Sequence, residues 1–222
     1  MSGSRTFAIG DIHGCPNALQ ALVRELDIRP DDTVITLGDY VGKGPDSRGV
    51  LECLIELKSR CRLIPLLGNH DRIMLAALRQ EISGSIWKKF GGDGILESYG
   101  RREAVPPEHL AFLNSCLVYH ENENFLFAHA CCDPDLPLAE TPETTLLWQK
   151  LDHQVARHVS GKRAIVGHTC QRSGEILVQE HIICIDTNCW AGGWLTAYEV
   201  NSQAVVQVNR NGRRRAAKAE TT

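Results

Sequence analysis

Three short apolar segments in the first third of the chain each end in a glycine that is followed by polar side chains able to bind a metal. The first gives Gly10-Asp11-Ile12-His13-Gly14, the second gives Gly38-Asp39-Tyr40, and the third gives Gly68-Asn69-His70-Asp71. A lone Asp or His at such a position is ordinarily a turn former, a helix cap or a solvated side chain. Because the pattern repeats, it indicates one shared site.

Two further histidines extend this pattern into the second half of the chain. His129 follows the apolar segment 125–128, and His168 follows the segment 164–167. The combined donors are oxygens and imidazoles without a thiolate, a set that favours Mn²⁺, Fe²⁺ or Zn²⁺. Two such ions carry more positive charge than two carboxylates neutralise, so the site would attract phosphate.

The elements that must bring these side chains together alternate between strand and helix in the first half of the chain. Apolar runs predict strands at Thr6–Ile9, Thr33–Leu37 and Arg62–Leu67, and helical spacing predicts helices at Pro16–Leu26, Asp46–Lys58 and Asp71–Gln80. This βαβαβα order predicts parallel strands joined by right-handed crossovers, and parallel strands place their carboxyl ends at one edge of a sheet. Residues that are distant in sequence should therefore meet at that edge.

In the second half of the chain the regular alternation of strand and helix is lost. Helical pieces and loops are expected over 81–116, and strands then follow one another from residue 117 onward, with a helix at about Thr144–Val159 between them. The predicted fold class is therefore α/β, with two packed mixed sheets flanked by helices. A single domain is expected over 1–209, and the basic segment 210–222, which lacks an apolar face, is expected to be disordered.

The composition limits the classes of protein to which the chain can belong. With 222 residues, 43% of them apolar, it can build one substantial core, and its formal charge of −3 offers no global positive field for nucleic acid. Neither a membrane-spanning apolar run nor a signal-peptide pattern is present, so the expected location is the cytoplasm, away from membranes. The nine cysteines lie mostly in apolar contexts and are expected to be buried and reduced.

Five of these segments, taken in order, resemble a known family. They are GDIHG at 10–14, GDYVGKGP at 38–45, GNHD at 68–71, AHA at 128–130 and GHT at 167–169. Together they resemble the calcineurin-like metallophosphoesterases of the phosphoprotein phosphatase type. The resemblance extends to about residue 197 and is strongest to the branch of small bacterial and phage serine/threonine phosphatases, which is related to the bacterial diadenosine tetraphosphate hydrolases. It implies a four-layer αββα sandwich.

The resemblance also implies a role for each matching residue. Two divalent ions, foremost Mn²⁺ with Fe or Zn as alternatives, would be held by Asp11, His13, Asp39, Asn69, His129 and His168, with Asp39 between them. A hydroxide bridging the ions would attack phosphorus, and His70 would protonate the leaving oxygen as general acid. Lys43 stands where the family usually has a phosphate-clamping Arg, Lys150 stands where a second one lies, and Asn69 would also contact substrate.

One departure from the family pattern lies beside the general acid. The protein phosphatases usually carry Asp-Arg where this chain has Gly42-Lys43, and that Asp orients the His from behind. Gly42 cannot take this role, which leaves Asp71 or a water molecule as candidates.

Three functions remain open at this stage. The leading one is a phosphatase for phosphoserine or phosphothreonine proteins that also accepts small aryl phosphates. The second is a symmetrical dinucleoside polyphosphate hydrolase, because those relatives also lack the orienting Asp and carry GNHD; the short chain, without their large insertion, favours the first. The third is a non-catalytic module that binds phosphorylated ligands, against which the complete ligand set argues.

Gly42 leads to a prediction about leaving groups. If His70 lacks an orienting carboxylate, it should be a weaker acid catalyst. The hydrolysis rate should then fall less for esters whose leaving groups need little protonation, such as nitrophenolate or a nucleoside diphosphate, than for serine phosphates. Rates measured across leaving groups of graded pKa test this expectation. A dependence on leaving-group pKa no steeper than in a Gly42→Asp variant would refute it.

Overall fold

The fold is built from ten strands and seven α-helices within residues 4–216, the part of the chain that this computed structural model describes. The strands are β1 Thr6–Ile9, β2 Thr33–Thr36, β3 Arg62–Pro65, β4 Tyr119–Glu121, β5 Phe125–Ala128, β6 Arg163–Val166, β7 Leu177–Val178, β8 Ile182–Cys184, β9 Trp194–Glu199 and β10 Val205–Asn209. The helices are α1 Pro16–Leu26, α2 Ser47–Lys58, α3 Asn69–Leu78, α4 Gly84–Lys89, α5 Gly92–Tyr99, α6 Pro107–Asn114 and α7 Glu143–Trp148.

The first sheet contains the predicted βαβαβα unit. Its strand order is β10-β9-β1-β2-β3, with β1, β2 and β3 parallel and β9 antiparallel to β1. Thr6 of β1 pairs with Thr33 of β2, which pairs with Arg62 of β3, so the three strands begin level and end level. The prediction that their carboxyl ends share one edge is therefore confirmed.

The crossover helices begin and end where local chemistry dictates. Pro16 occupies the first turn of α1, and Asp27 closes the helix in the left-handed region with a φ of 47°. Asp46 caps α2 by accepting a hydrogen bond from the Gly49 amide at 2.8 Å. The apolar side of α1, with Leu19 and Leu22, is buried against the sheet. These helices cover one face of the sheet and leave the other face for the second sheet.

The second sheet is also mixed. Its order is β4-β5-β6-β8-β7, with β5, β6 and β8 parallel and both edge strands antiparallel to their neighbours. The inner faces of the two sheets share one apolar cluster, which includes Ala8, Ile35, Leu37, Ile64, Leu66, Phe127, Ile165, Ile183 and Ile185. Helix α7 packs on the outer face through Leu146. The predicted class of two mixed sheets flanked by helices is confirmed.

The prediction of a helix at Thr144–Val159 is wrong over most of that range. Helix α7 ends at Trp148, and Gln149 is already extended, with a φ of −73° and a ψ of 118°. Tertiary contacts take over at this point, because the Trp148 carbonyl lies 3.1 Å from His168 Nε2 and the Leu151 amide donates to Thr169 Oγ1 at 3.0 Å. The chain beyond Trp148 therefore follows the loop that carries His168.

The expected disorder from residue 210 onward does not hold for 210–216. The chain turns back after β10, and the Arg215 amide donates to the Gln207 carbonyl at 2.8 Å. The Arg214 guanidinium pairs with Glu25 of α1 at 2.9 Å, and the Arg215 guanidinium donates to the Gly174 carbonyl at 2.6 Å. The basic side chains thus find fixed partners on the fold. The rest of the predicted tail, 217–222, lies outside the described residues.

All nine cysteines lie in the described part of the chain and are free, and five of them are buried. No helix within residues 4–216 has the length and apolar character needed to cross a membrane.

Asp32 connects the segment that precedes β1 with the segment that precedes β2. Its carboxylate accepts from Arg5 Nε at 3.0 Å and from the Arg29 amide at 2.8 Å. Burial would raise the pKa of Asp32, but its hydrogen bonds with Arg5 outweigh burial and hold the pKa below its usual value.

We therefore expect Asp32→Ala to destabilise the protein by about 2–3 kcal/mol at neutral pH. Because the pKa of Asp32 is lower in the folded protein, its contribution is present above the unfolded-state value of about 4 and is lost as the pH falls further. Urea unfolding at pH 7 and pH 3 measures both effects. Asp31→Asn, at the exposed neighbouring position, is the matched control and should change stability by less than about 0.5 kcal/mol.

Candidate metal centre

The polar residues that follow the strands of both sheets converge on one buried carboxylate, Asp39. From the first sheet come Asp11 and His13, which follow β1, and Asn69 and His70, which open α3; from the second come His129, which follows β5, and His168, which follows β6. All of them are buried except His168, which is partly exposed. The side chains form two groups that share Asp39 and could each hold a metal ion: His13, Asp39 and His70, and Asp39, His129 and His168.

The second of these groups is arranged around the amide oxygen of Asn69. His129 Nε2 lies 3.0 Å from Asn69 Oδ1 and 3.5 Å from Asp39 Oδ1. His168 Nδ1 approaches the same Asn69 oxygen at 3.2 Å. Four predicted ligands, Asp39, Asn69, His129 and His168, are therefore within reach of one cation.

The first group differs in one respect from the set implied by the family resemblance. His13 Nε2 lies 3.3 Å from Asp39 Oδ2 and 3.9 Å from Asp11 Oδ2, and one ion can be bound by ligand atoms at either separation. The carboxylate of Asp11 also accepts from the His168 amide at 3.1 Å, which links the β1 loop to the β6 loop. The three side chains that lie closest together here are His13, Asp39 and His70, with Asp11 beside them.

Three of the imidazoles are oriented by main-chain carbonyls. His13 Nδ1 lies 3.1 Å from the Val41 carbonyl, His129 Nδ1 lies 2.8 Å from the Leu37 carbonyl, and His168 Nε2 faces the Trp148 carbonyl. A carbonyl only accepts hydrogen bonds, so each of these nitrogens carries the ring proton. The other nitrogen of each neutral ring therefore presents a lone pair to the Asp39 region, which is how protein histidines bind metals.

Electrostatics supports the same protonation states. Burial lowers the pKa of His13 to about 3 and that of His168 to about 4, so both rings are neutral at neutral pH. Burial alone would raise the pKa of Asp39, but His129, His13 and His70 together hold it below its usual value. A charged Asp39 carboxylate beside neutral His13 and His168 rings is the ligand state that a divalent ion requires.

Acceptor atoms face one another at this centre, and a cation would resolve that conflict. Within residues 4–216, Asp39 Oδ2 is buried and has no hydrogen-bond partner. Asn69 Oδ1 faces the lone pairs of His129 and His168 at 3.0 and 3.2 Å. Because buried acceptors without donors are costly, the donor set fits divalent metal ions.

The backbone carries strain at four site residues. His13, Asp39, Lys43 and His168 have φ angles of 44°, 52°, 56° and 58°, in the left-handed region that side chains rarely adopt. Such strain persists only where surrounding contacts enforce it, and it concentrates at functional sites.

Asp71, one candidate for orienting His70, has another role. Its carboxylate accepts from the amides of Tyr40 at 3.0 Å, Val41 at 3.2 Å and Gly68 at 3.0 Å. Asp71 therefore joins the loop after β2 to the loop after β3. The acceptor beside the His70 ring is instead the Phe90 carbonyl, 2.9 Å from Nδ1.

A cavity of about 340 Å³ opens onto the centre, and three cationic side chains line it. Two of them, Lys43 and Lys150, are predicted substrate contacts; Lys43 Nζ lies 3.1 Å from His13 Nε2. The third, Arg172, was missed by the sequence analysis, although it follows His168 in the same loop. A basic residue four positions after a predicted metal ligand only weakly predicts a substrate contact. Only the fold shows that this loop lines the cavity.

The fold and the site together define a metal-dependent hydrolase of the α/β sandwich class. The family model described as calcineurin-like phosphoesterase matches residues 4–171, most of the chain. The chain therefore belongs to the calcineurin-like phosphoesterase family, whose members depend on divalent metal ions.

Individual relatives differ in how much of the chain they match. A protein named serine/threonine-protein phosphatase 1, from Salmonella typhimurium, is 29% identical over 206 residues, which cover 86% of this chain and 89% of that protein. A symmetrical bis(5'-nucleosyl)-tetraphosphatase from Acidovorax is 44% identical over 72 residues, but these cover only 32% of this chain and 25% of that protein. The cold-active protein-tyrosine phosphatase of a Shewanella species has the same fold, with a TM-score of 0.69 at 16% identity over 96% of this chain and 80% of that one.

Metal stoichiometry tests the two-group arrangement. We expect the wild type to bind two Mn²⁺ ions per chain. His13→Ala and His168→Ala should each lower the affinity for one of the ions by at least about tenfold, and Asp39→Asn should lower the affinity for both. Titration calorimetry on metal-free protein provides the measurement, with thermal stabilisation by Mn²⁺ as a second readout. The exposed His153, replaced by Ala, is the control and should leave both ions bound. Unchanged binding in Asp39→Asn would contradict the shared-ligand arrangement.

Proposed function

We propose that this protein is a phosphatase for phosphoserine and phosphothreonine side chains that also hydrolyses small aryl phosphates. The observation that carries this proposal is the nearly full-length similarity to a serine/threonine-protein phosphatase, over 86% of this chain. The site agrees with it, because the cavity is open to solvent and has room for a phosphoryl group on a side chain.

The proposed cofactor is a pair of divalent ions, with Mn²⁺ as the favoured metal. His13, Asp39 and Asp11 would hold one ion, and Asp39, Asn69, His129 and His168 would hold the other. Mixed oxygen and imidazole donors with few carboxylates suit borderline ions of this kind. When bound, the ions would supply charge neutralisation and polarisation of the phosphoryl oxygens.

His70 is the proposed general acid. It lies at the cavity wall beside Lys43 and Asn69, and its Nδ1 is engaged by a carbonyl, which leaves Nε2 as the nitrogen that can reach substrate. In the proposed step, the protonated ring gives the Nε2 proton to the leaving oxygen as the bond between phosphorus and that oxygen breaks. The ring is left as a neutral imidazole that still carries its Nδ1 proton.

The cationic side chains of the cavity are the proposed substrate contacts. Lys43 is closest to the centre and would bind the phosphoryl group together with Asn69, whereas Lys150 and Arg172 lie at exposed positions in the cavity wall. Lys150 and Arg172 have room to contact a second anionic group of the substrate.

Those two residues also keep a second candidate function open. Cations beside a phosphoryl site suit a polyphosphate chain, and 72 residues of this chain are 44% identical to a symmetrical bis(5'-nucleosyl)-tetraphosphatase. Symmetrical hydrolysis of dinucleoside tetraphosphates is therefore the alternative activity.

A direct comparison of substrates tests both candidates. With Mn²⁺ bound, we expect kcat/KM for a phosphothreonine peptide to exceed that for diadenosine tetraphosphate, and the reverse order would favour the alternative. Lys150→Gln and Arg172→Gln should raise KM for the tetraphosphate by about tenfold and change KM for 4-nitrophenyl phosphate by less than about twofold. If the metal-loaded protein hydrolysed none of these esters, it would instead be a module that binds phosphorylated ligands.

A further inference from the structure

The ring of His70 is held by a part of the chain that carries none of the metal ligands. Its Nδ1 lies 2.9 Å from the main-chain carbonyl oxygen of Phe90, the residue that follows helix α4. Carbonyl groups at the carboxyl end of a helix lack partners within the helix, so they are free to accept hydrogen bonds from elsewhere. The Phe90 carbonyl is such a group.

Phe90 is fixed in this position by its own contacts. Its amide donates to the Trp87 carbonyl at 3.0 Å, which closes the last turn of α4. Its ring packs edge-on against His70 at 5.7 Å and against Trp148 at 5.5 Å between ring centroids. The Trp148 carbonyl in turn faces His168. The carbonyl is thus placed by packing that also supports the metal centre.

Two glycines make the approach of this carbonyl possible. A Cβ atom at Gly42 would lie 2.9 Å from His70 Nδ1 and 3.1 Å from the Phe90 oxygen. Gly91 has a φ of 85°, and a Cβ atom there would lie 2.9 Å from the Lys43 amide nitrogen. A side chain at position 42 and the Phe90 carbonyl therefore compete for the same space beside the ring.

We infer that the Phe90 carbonyl is the positioning group for His70, in place of the carboxylate that the family resemblance implies at position 42. This inference rests on the proposed role of His70 as general acid. Because a carbonyl only accepts, it fixes the proton on Nδ1 and leaves Nε2 to exchange the proton with the leaving oxygen. Because the carbonyl orients the ring, displacing it should slow the hydrolysis of esters whose leaving oxygen needs a proton more than that of esters whose leaving oxygen does not.

Paired glycine variants test the inference by activity. Gly91→Ala should displace the Phe90–Gly91 peptide and lower kcat for alkyl phosphates by about tenfold or more, with less than about threefold loss for 2,4-dinitrophenyl phosphate. Gly94→Ala is the matched control, because its Cβ atom would meet only the Gly44 carbonyl oxygen at 3.8 Å. Equal losses for both esters in Gly91→Ala would overturn the inference, since a general structural defect predicts that result.

A spectroscopic readout avoids turnover altogether. In metal-free protein labelled with ¹⁵N at histidine, His70 should show the tautomer with the proton on Nδ1. Gly91→Ala and Gly42→Ala should each shift it toward the other tautomer, whereas Phe90→Leu, which keeps the carbonyl, should not. A wild-type His70 without a proton on Nδ1 would overturn the inference.

A separate variant distinguishes this inference from the proposed function. If His70→Asn loses no more activity with alkyl than with dinitrophenyl phosphates, the role of His70 as an acid fails. The tautomer measurement then still decides whether Phe90 positions the ring.

Discussion

The structure depends on one buried charge, the carboxylate of Asp39, which lies between the imidazoles of both sheets. Its side chain is buried, and one of its oxygens has no hydrogen-bond donor within the described residues. Such an arrangement is expensive without a cation. The oriented rings and the contacts between loops hold this carboxylate and its neighbours in place, so they do not relax into an arrangement of lower free energy.

The two-sheet sandwich holds these neighbours in place because each sheet supplies part of the centre. The first sheet positions Asp39 and Asn69, and the second positions His129 and His168. The apolar cluster between the sheets fixes their relative position, and each buried aliphatic side chain in it contributes about 1.5–3 kcal/mol. Side chains that share no element therefore meet within 3.5 Å. This rigidity also sustains the left-handed backbone at His13, Asp39, Lys43 and His168.

Main-chain carbonyls orient all four imidazoles around the centre. The carbonyl of Val41 faces His13, that of Leu37 faces His129, that of Trp148 faces His168 and that of Phe90 faces His70. Trp148 and Phe90 each lie at the end of a short helix, where carbonyls lack helical partners. Helix α7 ends at Trp148, and the carbonyl of that residue faces His168 in place of a helical partner. The Phe90 carbonyl likewise orients His70 beside Gly42, which has no side chain to do so.

The sequence by itself determined the elements of the βαβαβα unit and most of the residues that cluster at its edge. Apolar periodicity placed β1 and α1 at their observed bounds, and glycine followed by Asp, Asn or His marked the strand ends that converge. What orients each ring was decided only by the tertiary structure, because every residue has a carbonyl and none of them leaves a mark in the sequence. The same holds for Arg172, for Asp11, which bonds to the His168 amide, and for the returning segment 210–216. These features depend on where distant loops meet, which local patterns do not encode.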